Sequence, residues 1–67
     1  MDELQKMGQA YLDEATKIQQ RIVQLEKERD RYIQEKQYYL VDNLQQRILT
    51  LNDMYFEMTA IGHRFSS

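Results

Sequence analysis

The sequence predicts an all-α protein, an antiparallel helical hairpin with a long first helix and a shorter second one that self-associates into a helical bundle. Three observations carry this expectation. The chain has no Pro and only two glycines, Gly8 and Gly62, and the stretch between them is rich in Gln, Glu, Lys, Leu, Arg and Ala. These residues form helices well, and no strong breaker interrupts them. The apolar residues recur at spacings of three and four, and no alternating run of β-branched residues signals a strand. Finally, 67 residues without Cys form a scaffold small enough to need outside support, and disulfides are ruled out.

Helix 1 is expected over about residues 2–35. Leu4, Tyr11, Ala15, Ile18, Ile22 and Leu25 lie on one face, with Met7 and Gly8 falling in the first gap. This is the seam pattern of a packed helix. Asp2 and Glu3 complement the positive end of the helix dipole. The same frame then meets Arg29, Tyr32, Lys36 and Tyr39 and turns polar.

A second stripe runs through Val41, Leu44, Ile48, Leu51, Tyr55 and Met58, with Phe65 beyond Gly62. Its heptad phase differs from the first by two residues, whereas one straight seam would keep its phase. Two architectures accommodate the change. In the leading one the chain turns somewhere within 34–43, and helix 2 covers about 43–61. Asp42 or Asn43 would be its N-cap, and Gln46 would complete a weak capping box. Gly62 would close the helix as a left-handed C′ residue, with His63 and Arg64 at the negative end of the dipole. Ser66 and Ser67 would fray. The alternative is one long continuous coiled-coil helix with a stutter.

A late turn would leave the start of helix 1, with Leu4, Met7, Tyr11 and Ala15, longer than its partner helix. A second copy would then cover that face in a four-helix arrangement. The expected self-association or partner surface is therefore Leu4, Met7, Tyr11, Ala15, Ile18, Ile22, Leu25, Tyr32 and Tyr39 on the first frame. On the second it is Leu44, Ile48, Leu51, Tyr55 and Met58. Of the adjacent aromatic pairs Tyr38–Tyr39 and Tyr55–Phe56, one member of each should pack inside and the other face outward.

Charge and composition narrow the function classes. Residues 1–33 hold six basic and seven acidic side chains, and residues 34–67 hold three and four. Neither half has the basic stripe of a nucleic-acid binder, so no nucleic-acid partner is expected. No apolar run approaches the roughly 18 residues of a membrane span, and the mean hydropathy is -0.79. No membrane partner and no secretory signal are expected. Absent Cys fits a reducing cytoplasm.

No catalytic, metal or cofactor site is expected. His63 is the only imidazole, with no Cys nucleophile and no serine elbow nearby. Asp13, Glu14 and Glu28 match neither a Glu-x-x-His pair nor a calcium loop, and Asp13 lies four before Lys17 as a simple helix pair. The alternating charges of Glu26–Arg31 read as a solvated face with local pairs such as Arg31 with Glu35. No Gly-rich phosphate loop is present.

Two resemblances bear on function. Leu44-Gln45-Gln46-Arg47-Ile48, then Leu51, Met54-Tyr55, Glu57 and Ala60-Ile61-Gly62-His63-Arg64-Phe65 resemble small uncharacterised helical proteins of Firmicutes and their mobile elements. So does Leu4-Gln5-Lys6-Met7-Gly8-Gln9-Ala10-Tyr11-Leu12. Those proteins carry arginines where this chain has Gln45 and Gln46, and Thr where it has Ile61. The resemblance implies a bacterial helical protein and supplies no activity. The small sporulation phosphatases are also helical hairpins, with a Ser-x-x-Leu-Asp signature on the second helix. Here Leu51-Asn52-Asp53 has Ile48 in place of that Ser, which argues against phosphatase chemistry. The expected role is therefore a non-enzymatic interaction or structural module that forms a homo-oligomer, a dimer first of all. The alternative is a small regulator that binds an unidentified signalling or transcription protein.

Overall fold

The computed structural model describes residues 2–66, with the side chains of residues 3–65. It is a hairpin of two α-helices, α1 (Asp2–Gln34) and α2 (Tyr38–Ser66). At 1.5 Å per residue these span about 50 Å and 44 Å, which matches a rod of 53 × 14 × 12 Å. The expected hairpin is present, and the continuous helix is not formed. The expectations for the Asp2 side chain and for Ser67 lie outside the described residues.

The turn uses only Glu35, Lys36 and Gln37. The Gln37 N–H donates to the Tyr32 carbonyl at 2.9 Å, and the Lys36 N–H donates to the Ile33 carbonyl at 3.1 Å. This pair of bonds is a Schellman motif, which satisfies carbonyls left open at the end of a helix. Its C′ residue is Lys36, held at φ 61°. The Gln37 carbonyl then accepts from the Leu40 and Val41 N–H groups at 3.1 and 3.4 Å, so Gln37 ends one helix and caps the next.

That capping corrects the expected start of α2. The helix begins at Tyr38 and not near residue 43, so Asp42 and Asn43 lie inside it rather than at its N-cap. The short polar side chains of Asp42 and Asn43 suit a cap, but the Schellman bonds redirect the chain five residues earlier. Gly62 is the second correction. It has no positive φ, and α2 continues through it to Ser66. The two helices therefore match in length, and the expected overhang of α1 disappears. The start of α1 meets the end of α2, where Tyr11 stacks on Phe65 with ring centroids 5.8 Å apart.

Gly8 and Gly62 are both buried, and each lies in its helix's seam. A Cβ built on Gly62 would stand 2.7 Å from the Leu12 side chain and 3.1 Å from the Gly8 carbonyl oxygen. Two glycines let the helix backbones approach closely at the open end of the hairpin.

The core lies toward the turn. Ile22, Leu25, Leu44 and Ile48 form the buried cluster, with Ile18, Tyr32, Leu51 and Tyr55 packed against it. Leu25 is fully enclosed, and burying a side chain of that size contributes about 1.5–3 kcal/mol. Ala15 is also buried. In steps of seven, the seam of α1 reads Gly8, Ala15, Ile22 and Arg29, interleaved with Tyr11, Ile18, Leu25 and Tyr32. That of α2 reads Val41, Ile48, Tyr55 and Gly62, interleaved with Leu44, Leu51, Met58 and Phe65. Arg29 does not end the seam, as its charge suggests. It stays half-buried and reaches across to α2, donating from Nη1 to Gln45 Oε1 at 3.2 Å.

Candidate interaction surface

Most of the residues expected to meet a partner are used within the chain. Ala15, Ile22, Leu25, Leu44 and Ile48 are buried in the hairpin, and Tyr11, Ile18, Tyr32, Leu51, Tyr55 and Met58 are half-buried along the same seam. Only Leu4, Met7 and Tyr39 of that set are exposed. The seam periodicity is real, but its partner is the other helix of the same chain.

The aromatic pairs behave differently from one another. Tyr55 packs against the core, and its neighbour Phe56 stands 67% exposed. At the turn both Tyr38 and Tyr39 are exposed, at 60% and 72%, contrary to the expectation that one would pack inside. They occupy the first turn of α2, directly after the three-residue turn.

What the seam does not bury lies on two flanks of the hairpin. Leu12 meets Gly62, and Arg29 meets Gln45, so these contacts show which edges of the helices adjoin. On one edge, α1 places Leu12, Gln19 and Glu26 at seven-residue steps, and α2 places Gln45, Asn52 and Thr59. Just outside them stand Thr16 and Val23 on α1 and Leu49 and Phe56 on α2. Val23, Leu49 and Phe56 are all exposed. Between Thr16 and Val23, and across from Leu49 to Thr59, this flank carries no charge. Glu26 borders it toward the turn, and Asp53 borders it on the outer side of α2.

The opposite flank differs in kind. It carries Glu14, Arg21 and Glu28 at seven-residue steps on α1, and Arg47 on α2 between Leu40 and Met54. The uncharged flank was missed in the sequence because its residues belong to no seam. Leu49 and Phe56, seven apart and off the main stripe, were the available signal.

Polar chemistry on the surface is local. Lys17 pairs with Glu14 at 3.4 Å, not with Asp13 as its spacing suggests, and Asp13 instead accepts from Gln9 Nε2 at 2.9 Å. The Arg31 guanidinium lies over the Tyr32 ring, 5.0 Å from its centroid, and not against Glu35. Arg29 pairs with Asp30 at 3.4 Å. The contacts of Lys17 are between exposed side chains and contribute little to stability. Thr59 Oγ1 is buried without a hydrogen-bond partner.

Among the described residues no group of His, Cys, Asp or Glu could hold a metal ion, and no helix is long and apolar enough to cross a membrane. A depression of about 410 Å³ is lined by Phe56, Glu57, Ala60, Ile61 and Arg64. All five belong to α2, so it is a surface hollow on one helix rather than a cleft between two. No family model, curated protein or solved structure matches the chain.

Proposed function

We propose that this chain is a non-enzymatic helical interaction module that works as a self-associated pair of hairpins in a bacterial cytoplasm. The observation that carries this reading is the amount of large apolar side chain left outside the core. Val23, Ile33, Leu49, Met54 and Phe56 are all exposed on a hairpin whose buried cluster holds four residues. A core this small supplies limited stability, and small helical scaffolds commonly complete themselves by association. The near-neutral charge of the chain, -2, presents little repulsion between copies.

A second reading has its own observation. Tyr38 and Tyr39 stand exposed together at the tip, and aromatics with a polar end are favoured anchors for protein partners. On that reading the hairpin is a small regulator that presents its turn to a signalling or transcription protein.

Light scattering after size-exclusion chromatography, over a dilution series, tests the leading reading. A dimer that persists at micromolar concentration is the expected result. A cooperatively folded monomer throughout would remove self-association and favour the regulator.

A further inference from the structure

We infer that the two-residue offset between the seams of α1 and α2 is a conformational lock. It keeps the seam closed within one chain, because it stops the turn from straightening and the helices from being exchanged between copies. The lock does not depend on the self-association reading above. In any assembly of hairpins, each copy keeps its own two helices together.

Little in the turn itself forbids a straight helix. Gln34, Glu35, Lys36 and Gln37 are good helix formers, with no Gly or Pro among them. Turning here holds Lys36 at φ 61°, a conformation that L side chains adopt only at a cost. Short hinges under strain invite the exchange of identical elements between copies, since an exchanged pair re-forms the seam contacts and relieves the hinge. In such a pair each chain is one continuous helix of about 100 Å. The α1 of one copy then lies along the α2 of the other. Length does not oppose this, because helices of 33 and 29 residues match end to end.

Phase opposes it. Two continuous helices lying side by side need one seam that faces the partner throughout. Carried forward in its steps of three and four, the α1 seam passes from Arg29 and Tyr32 through Lys36, Tyr39, Asn43, Gln46, Thr50 and Asp53. All six of these later residues are exposed, on the outside of the hairpin. The buried residues Leu44 and Ile48 each stand two positions before a member of that series. At seven residues per two turns, two residues are about 200° of rotation around the helix. Straightening the chain would therefore set the two halves of its seam on nearly opposite sides. A partner lying alongside would cover one half and leave the other in water. The hairpin covers both, because the turn frees α2 from the frame of α1.

The test separates phase from length and helix propensity. Two alanines inserted between Glu35 and Lys36 bring Val41, Leu44 and Ile48 into the frame of α1. Four alanines carry them past it, to the far side again. Cysteines replace Tyr11 and Phe65, whose rings stack 5.8 Å apart, in a chain with no other Cys. A short bismaleimide joins the two cysteines, and a denaturing gel reads whether the bridge lies within a chain or between two. Non-covalent pairing of intact hairpins does not survive the gel. The natural and four-alanine chains are expected to bridge within one chain up to about 1 mM, near the effective concentration of a helix on a short linker. In the two-alanine chain, bridges between chains are expected to predominate at that concentration. Small-angle scattering on the same chains without the cysteines reads the change as a maximum dimension. The hairpin is 53 Å long, and the exchanged pair should reach about 100 Å. Bridges between natural chains that grow with concentration would overturn the lock. So would a two-alanine chain that stays a hairpin by both readouts. A four-alanine chain that exchanges as freely as the two-alanine chain would show that length acts and phase does not.

Discussion

Lys36 holds a left-handed backbone conformation at φ 61°, which costs an L side chain about 1–2 kcal/mol. Glycine is the usual residue at the C′ position of a Schellman motif because it avoids that cost. Lys36→Gly is therefore expected to stabilise the hairpin by about 1 kcal/mol, seen as a higher urea midpoint at fixed protein concentration. A lower midpoint would mean that the Lys36 side chain contributes more than its strain costs. Thr59 presents the opposite case, a side chain whose backbone is relaxed and whose hydroxyl is not. Its Oγ1 is buried and unpartnered, and replacing such a group by an apolar one of the same shape is neutral or stabilising. Thr59→Val should raise stability by up to about 1 kcal/mol in the same urea titration, and a clear loss would show that the hydroxyl is bonded in solution. Neither feature is visible in sequence. A Lys at a turn carries no signature of positive φ, and the burial of one oxygen atom depends on the opposing helix.

The two helices are set against each other at the open end by Gly8 and Gly62. In an isolated helix, replacing Gly by Ala stabilises by about 0.8–1 kcal/mol. Here the added methyl would stand 2.7 Å from Leu12 and 3.1 Å from the Gly8 carbonyl. The carbonyl belongs to the backbone, so the helices would have to part, at an overpacking cost of about 1–3 kcal/mol. Gly62→Ala is accordingly expected to lower stability by roughly 1 kcal/mol, the difference between these terms. In a Leu12→Ala background the same substitution should cost less, because one of the two obstructions is gone. A double-mutant cycle by thermal unfolding measures the coupling, and strict additivity would refute the close approach. By sequence alone Gly62 reads as a helix stop, since a Gly near the end of a periodic run most often is one. Its place four residues after Met58 also puts it on the seam, and only the presence of Gly8 opposite decides between the two meanings.

At the scale of the whole molecule, the hairpin is a rod of 53 × 14 × 12 Å with one seam and two flanks. If a second copy packs on it, a tenfold rise in protein concentration should raise Tm by several degrees, since association favours the folded state by mass action. A Tm independent of concentration, measured by circular dichroism from about 5 to 500 µM, would show that the hairpin stands alone. The concentration range is chosen to cross the micromolar affinities of standard interfaces.

The helical class, the two stripes and their seven-residue step were legible in the sequence because they are local properties of a chain with a 3.6-residue turn. The apolar residues of the seam, Ala15 to Leu25 on α1 and Leu44 to Met58 on α2, were likewise legible, since alternation of three and four marks the apolar face whatever it packs against; Arg29, a charged residue on that face, was not. What the stripe could not say is which face it meets. The seam of α1 from Gly8 to Tyr32 and that of α2 from Val41 to Phe65 are equal in length. Packing them layer for layer places the turn at Glu35–Gln37 even though none of those residues favours a turn. That balance is a property of two helices at once, so it buried within one chain the residues expected to wait for a second. It also left Leu49 and Phe56, which belong to no seam, exposed on the outside of α2.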